Sequence, residues 1–362
     1  MWMENLVYSI GAAVIGLGLL IVFHEFGHFL LAKLSGVGVL TFSVGFGPKL
    51  WVRKKGETEY ALSAFPLGGY VKMVGEDPDE EVRQEDIEKS FAHKSLLKRI
   101  AIVVAGPGFN LLLALVLLMG VFTFYGVPVM STQVSAVEAG SPAERGGILK
   151  GDRIIAIDGM PVKEWEALSR AIKSSGGKAL ALQIRRGTET VNVNVQPMKK
   201  EGRNLFGERK DDWIIGIGSQ VSIEKGNPGL AIVRAFYQTY DYAQLTLVAL
   251  FKMIVGDVSP RNIGGPILIA QMAGQQAQEG LGSFLAFLAV LSINLGVLNL
   301  LPVPVLDGGH LLFFLVEAVT RKPVALKYRE MAQQVGICLL ALLMIYAFYN
   351  DIVRFFEKQV GG

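Results

Sequence analysis

The stretch VFHEFGHFLLAKL (residues 22–34) closes an apolar run that begins at Leu6 and is long enough to cross a bilayer. Within it stand His24, Glu25 and His28. Ionisable groups in hydrocarbon are costly enough that they are rarely kept without a function. Two histidines four residues apart on a helix project from one face and can share one metal ion. Glu25, between them, is placed to take a proton from a water molecule at that ion. Only four of the 362 residues are histidine and two of them fall here, so a chance HExxH is a poor account of the pattern.

The rest of the composition agrees with a membrane setting. At 51% hydrophobic residues the chain is too apolar for an ordinary soluble enzyme. At 19% charged residues it is too polar for a bare bundle of spans, so one folded water-facing domain is expected. The net charge of +3 is small and unpatterned, and no nucleic-acid partner is expected. The single cysteine, Cys338, lies in an apolar run; it rules out an internal disulfide and reads as packing. Glu4 is the sole charge ahead of the first apolar run, which is therefore expected to be a retained span rather than a cleaved signal. The lack of an Arg-rich transit sequence favours a bacterial source.

Spans are expected at about 6–31, 100–125, 284–306 and 332–350. The second contains AGPGFN (105–110), read as a Gly-Pro-Gly break, and the third is interrupted by Pro302 and Pro304. Residues 229–256 carry Arg234, Asp241 and Lys252 too evenly for a span and read as an interfacial amphipathic helix. Residues 39–74 alternate like strands, with a hairpin turn at KKGE (54–57) and a second bend at PLGGY (66–70). EDPDEEVRQEDIEKS (76–90) reads as a solvated acidic stretch. SPAERGGILKGDRIIAIDGMPV (141–162) resembles the PDZ pattern: a short helix from Pro142, a strand, and the Asp158-Gly159 turn. A second helix (165–175), a hairpin turning at Arg186-Gly187, and IIGIG (214–218) complete that resemblance.

The expected architecture is thus an α-helical polytopic membrane protein with four transmembrane helices, a membrane-associated β-hairpin region and one extracytoplasmic α+β PDZ domain. Its segments are span one with HExxH (1–34), a cytoplasmic or membrane-associated hairpin loop (35–99), span two (100–126) and the PDZ domain (127–222). An interfacial helix and connector (223–283), a broken span three (284–318), a cytoplasmic loop (319–331), span four (332–351) and a tail (352–362) follow. Lys33, Lys94, Lys98 and Arg99 flank the first loop, and Arg321, Lys322, Lys327 and Arg329 the last. The positive-inside rule puts both loops in the cytoplasm and the PDZ domain outside.

Zinc needs a third protein ligand. A metzincin would place glycine and histidine where Leu31 and Leu34 stand, so that source fails. Asp307, in PVLDGGH, is the one acid in the middle of a broken apolar segment. Counted inward from Leu6 to His24, and from Phe284 to Asp307 on a span of the same direction, the two reach similar depth near the cytoplasmic side. That parity holds only if 229–256 is not a span.

HEFGH together with NLLPVPVLDGGH (299–310) resembles the site-2 protease family of intramembrane zinc metalloproteases, and the PDZ insertion narrows this to the bacterial regulator-of-sigma-E protease type. GFG (45–47), PLGGYVKM (66–73) and AGPGFN extend the resemblance along the chain. It implies that His24, His28 and Asp307 bind zinc, that Glu25 is the catalytic base, and that Asn299 orients the substrate backbone or oxyanion. It implies substrates that are single-pass membrane proteins, such as an anti-sigma factor or leftover signal peptides, cut within the lipid of a bacterial inner membrane. It further implies that an edge strand of the 39–74 region holds the unwound substrate. Some members carry two PDZ domains, whereas residues 127–222 hold one.

Two other classes compete. A catalytically inactive PDZ-bearing scaffold would have no reason to keep charged groups at depth, and a transporter should show paired internal repeats, which spans one–two and three–four do not. Asn294 reads equally as site support or as an interhelical amide. Asn110 reads as stabilising the Gly-Pro break, His310 as interfacial or near the zinc, and Asp241 and Glu317 as solvated or snorkelling.

Overall fold

The computed structural model describes residues 2–76, 82–203, 209–224 and 228–360. Within the acidic stretch at 76–90, residues 77–81 lie outside that range, and Gln84–Lys89 form a 3-10 turn. The chain begins with α1 (Trp2–Leu34), β1 (Val39–Lys55), β2 (Thr58–Met73) and α2 (Leu96–Phe124). It continues through β3 (Val127–Val137), α3 (Pro142–Arg145), β4 (Arg153–Ile157), β5 (Met160–Pro161), α4 (Trp165–Ser174), β6 (Leu180–Arg186) and β7 (Glu189–Val195). Strands β8 (Met198–Arg203), β9 (Arg209–Ile214) and β10 (Ile217–Glu224) come next. It ends with α5 (Pro228–Val255), α6 (Pro266–Glu279), α7 (Leu281–Asn299), α8 (Asp307–Thr320) and α9 (Leu326–Val360). Two compact units result: Met1–Val121 with Ile232–Phe251 and Ser259–Gly362, and Phe122–Ala231 with Lys252–Val258.

Among the described residues, four helical stretches are long and apolar enough to cross a membrane: Val7–Leu34, Leu96–Phe124, Leu281–Asn299 and Leu326–Glu357. Even the shortest, at 19 residues, spans about 28 Å at 1.5 Å per residue. Helix α5 is continuous but is not among them.

Two expected breaks resolve differently. Pro107 lies inside α2 and does not interrupt it, although it has no N–H for the carbonyl of Val103. Apolar helices tolerate this where neighbouring groups take over the freed carbonyl. The third span does end early, at Asn299, and residues 300–306 are not helical. Prolines 302 and 304 cannot donate and push their predecessors out of the α region. Short turn bonds (Val303 N–H to Leu301 O, 2.7 Å; Leu306 N–H to Val303 O, 3.0 Å) then lead into α8, which starts at Asp307. The close return depends on glycine: a Cβ at Gly308 would sit 2.1 Å from the Leu301 oxygen.

The far end of α8 is also fixed. Glu317, expected to be solvated, instead forms a forked ion pair with Arg99 at the start of α2, and the side chains are only 19% and 14% exposed. The Arg99 guanidinium also lies 5.1 Å over the Phe314 ring. Removing one partner leaves a desolvated charge, so Glu317→Ala is expected to cost about 3 kcal/mol. Exchanging the two charges together (Arg99→Glu with Glu317→Arg) is expected to recover most of that. Thermal unfolding in detergent of the single and paired variants checks this, and no recovery in the pair would count against the clamp.

The connector after α5 contains α6, a helix the local pattern did not announce. Its N-terminus is capped from elsewhere in the chain: the buried Asp351 of α9 accepts from the N–H groups of Gly265 (2.9 Å), Ile267 (3.0 Å) and Leu268 (3.1 Å). Cys338, expected to pack inside, is exposed on α9, the least buried of the four candidate spans.

Strands β1 and β2 are each long enough to be used twice. Val39–Phe46 pair with Phe65–Met73, Lys49–Lys55 pair with Thr58–Ser63, and Thr41–Val44 also face Glu59–Leu62. The turn at 54–57 is present, with Gly56 at φ +63°. The expected second bend is instead a bulge within β2, where residues 66–68 face the single residue Gly45. Among the described residues, no further strand pairs with the outer edge of 69–73. Val39, Val71 and Met73 pack with Ala32 and Ile102 and so tie this sheet to α1 and α2.

The second unit is an α+β domain with strand order β10-β3-β4-β6-β7, β5 pairing with β4, and all pairs antiparallel. Its core gathers Ile148, Ile154, Leu168, Leu182, Ile184 and Ile215. Asp158 (φ +48°) and Gly159 (φ +79°) make the β4–β5 turn that an Asp-Gly pair favours. The antiparallel β8–β9 pair lies where no elements were expected between β7 and IIGIG.

Asp152, buried in this core, accepts from Leu149 N–H (2.8 Å) and is held by Arg186 (2.7 and 2.9 Å). The guanidinium keeps its carboxyl below the usual carboxylate range. Since the folded value is depressed, the stabilisation is complete above the unfolded value near 3.9 and is lost as pH falls toward the folded one. Unfolding of this domain, followed by fluorescence of Trp165 and Trp213, is expected to be pH-independent between about 7 and 5 and to weaken below about 4. Asp152→Asn should weaken it at neutral pH and flatten the acid limb. An unchanged profile in that variant would rule the pair out as the cause.

Candidate metal centre

Helix α1 carries His24 and His28 one turn apart, each 9% exposed, with Nε2 atoms 3.2 Å apart. Asp307, the first residue of α8, closes the triangle: Oδ2 lies 3.2 Å from His24 Nε2 and Oδ1 3.5 Å from His28 Nε2. Room for the two rings exists because α2 presents Gly106 at this level. A Cβ there would stand 2.2 Å from His28 Nε2 and 2.9 Å from His24 Cε1.

His28 Nδ1 is 2.9 Å from the carbonyl of Ile102, which can only accept, so this nitrogen carries the proton and Nε2 presents a lone pair to the centre. Asp307 Oδ2 is buried with no hydrogen-bond partner of acceptable geometry among the described residues, despite its closeness to His24. A single cation would satisfy all three groups. Tetrahedral zinc, with bonds of about 2.0–2.1 Å, sets ligand-to-ligand edges of about 3.3–3.4 Å. The observed edges of 3.2, 3.2 and 3.5 Å fit that size. His24, His28 and Asp307 could therefore hold one zinc ion, with a fourth position left for a reactant.

Glu25 follows His24 on α1, and its Cγ lies against β2, 2.9 Å from where a Cβ at Gly69 would be. Glu25 is thus packed against β2 at Gly69, the first residue of the outer edge at 69–73. Two residues before Asp307, the β-branched Val305 has φ +97°, a strained backbone of the kind that persists where the surroundings enforce it.

Asn299, at the end of α7, places its amide 3.5 Å from His24 Nδ1. A nearer amide is Asn110 of α2, fully buried and 3.1 Å from the same nitrogen. Its place beside the histidine was not foreseen; the available signal was a lone amide in an apolar helix three residues after Pro107. Asn294 is an interhelical partner rather than a site group, accepting from Thr246 Oγ1 of α5 at 2.7 Å. His310 lies on α8, one turn beyond Asp307.

Fold and site together define a polytopic membrane protein with a candidate metal centre built on HExxH and a distant aspartate. The chain belongs to peptidase family M50, which it matches over residues 12–343. It is 37% identical over 366 residues to "Putative zinc metalloprotease R01501" of Rhizobium meliloti, covering 97% of this chain and 98% of that protein. It is 32% identical to "Putative zinc metalloprotease NMA0084" of Neisseria meningitidis (96% and 99% covered) and 31% identical to "Protease RseP" of Yersinia pestis (97% and 100% covered). The alignment to the Yersinia protein spans 455 positions, so that protein carries insertions relative to these 362 residues.

Proposed function

We propose that this chain is an intramembrane zinc endopeptidase that cuts single-pass membrane proteins within their spans. The convergence of two helix-borne histidines and Asp307 on one point carries the reading. His24, His28 and Asp307 hold the zinc. When bound, zinc supplies a Lewis acid that polarises the scissile carbonyl and makes water more acidic. Glu25 accepts a proton from the attacking water and returns it to the leaving amine. Asn299 donates its amide to the substrate backbone or the developing oxyanion. A helix hides its carbonyls in its own hydrogen bonds, so the substrate must first be extended. The edge at 69–73 pairs with it in that state.

Purified protein should cleave a single-pass test substrate within its span, lose that activity to a zinc chelator and regain it with added zinc. Cleavage untouched by the chelator would reject the assignment.

The second unit is a single PDZ domain on the extracytoplasmic face of a bacterial inner membrane, with the catalytic residues near the cytoplasmic side. Its groove, lined by Trp165, Ile172, Trp213, Ile215 and Ile217, suits an apolar peptide end. In a Cys338→Ser background, cysteines placed at Lys163 and Lys322 should label from opposite faces; labelling from one face would overturn this topology. The domain acts as a filter that keeps bulky substrates out, and anti-sigma factors or signal-peptide remnants fit the trimmed class. Replacing 130–218 by a short Gly-Ser bridge should preserve cleavage of a trimmed substrate and admit some intact substrate. Loss of trimmed-substrate cleavage with zinc and fold intact would favour delivery by the groove.

A further inference from the structure

The two histidines differ in what lies behind them. His28 Nδ1–H has a backbone carbonyl, the Ile102 oxygen, which fixes the ring with Nε2 free. Among the described residues His24 Nδ1 has no such carbonyl; it faces two amides, Asn110 at 3.1 Å and Asn299 at 3.5 Å. In the orientation seen, Asn110 turns Nδ2 toward the ring, while its Oδ1 is buried without a partner among the described residues. An imidazole that receives a hydrogen bond at Nδ1 carries its proton on Nε2, the atom that faces Asp307 and His28. That tautomer cannot bind metal through Nε2.

The two ends of an asparagine amide have the same shape, and half a turn exchanges them. With Oδ1 toward the ring, Asn110 accepts from Nδ1–H, the carbonyl gains a partner, and His24 Nε2 presents its lone pair to the centre. We infer that Asn110 is a positioning residue which accepts a hydrogen bond from His24 Nδ1–H and holds that histidine in its metal-binding tautomer. Asn110 is suited to this because it cannot wander. Its side chain is fully buried, and its backbone carbonyl is held by Ser292 Oγ of α7 at 2.7 Å. Asn299 is farther away, half-buried and at the end of its helix, and so stays available to substrate.

This inference rests on the reading of His24 as a zinc ligand, and the test separates the two. Zinc affinity of the full chain in detergent is measured by chelator competition for wild type, His24→Ala, Asn110→Leu and Asn110→Asp. Partners that orient a metal-binding histidine are worth about 10–100-fold in affinity. Asn110→Leu removes the acceptor while keeping the branching at Cγ, and should lose that much. Asn110→Asp can accept but not donate, and should fall well short of that loss of about 10–100-fold. In the cobalt-substituted protein, the ligand-field bands should move in the Leu variant and keep their position in the Asp variant. If both variants lose zinc, the amide donates and the inference falls; if neither does, Asn110 is not a positioning residue. Should Asn110→Leu fail to fold, Asn110→Ala removes the same acceptor. Unchanged affinity in His24→Ala would overturn the ligand assignment itself, whereas its loss beside unaffected Asn110 variants would overturn this inference alone.

Discussion

Glu25→Gln is expected to bind zinc as wild type does and to lose about a thousandfold or more in peptide cleavage, the scale of a positioned acid–base group. The substitution keeps the size and hydrogen-bonding shape of the side chain and removes its ability to hold a proton. Glu25 is on the same helix as both histidines but is not one of the three groups whose donor atoms converge. Its contact with β2 at Gly69 involves Cγ, which glutamine retains, so the fold should be unaffected. Turnover of a span-cleavage substrate and metal content are measured on the same preparation. Substantial turnover would remove Glu25 from the proton-handling role, and lost zinc would make it a ligand or a structural support.

Asp307→Ala is expected to lower zinc affinity by more than about 100-fold, beyond what even orienting partners contribute. It leaves two imidazoles facing each other at 3.2 Å with no coordinating carboxylate to balance the ion's charge. Asp307→Asn should fall between, since it keeps the volume and one neutral oxygen. Helix α8 should remain in place in both variants, because its start is set by the turn at 300–306 and its end by Arg99 and Glu317. Metal analysis after dialysis, with far-ultraviolet circular dichroism as the control for α8, gives the answer. Unchanged zinc in Asp307→Ala would move the third ligand elsewhere.

Much of this protein is legible along the chain because it is written in local terms. Span length follows from runs of apolar residues, and the shared face of His24 and His28 follows from a four-residue spacing on any helix. The Asp158-Gly159 turn and the Gly56 turn are set by residues that accept positive φ. Asp307 was within reach for a different reason: an acid in an apolar segment is so costly that its presence narrows the choice. Counting depth along two spans taken to run in the same direction then paired it with His24.

Local reading is blind where a group's partner lies far away in the chain. Helix α6 has an unremarkable sequence, and its cap is a carboxylate on α9, more than 80 residues on, at Asp351. Glu317 has the look of a solvated acid until α2 brings Arg99 to it. Pro107 was expected to break the second span, but an apolar environment leaves the backbone few alternatives to the helix, and α2 continues. Strand periodicity marks β1 and β2, but it cannot say that Thr41–Val44 face both Glu59–Leu62 and Gly69–Lys72. Asn110 shows the difference most plainly. From its neighbours it is one amide beside a Gly-Pro-Gly; its role depends on α1 packing so closely that His24 comes within 3.1 Å. Periodicity and spacing act over one or two turns and therefore survive in the sequence. The cost of an unpaired buried polar group is paid across the whole fold, and only the packed helices reveal which groups pair.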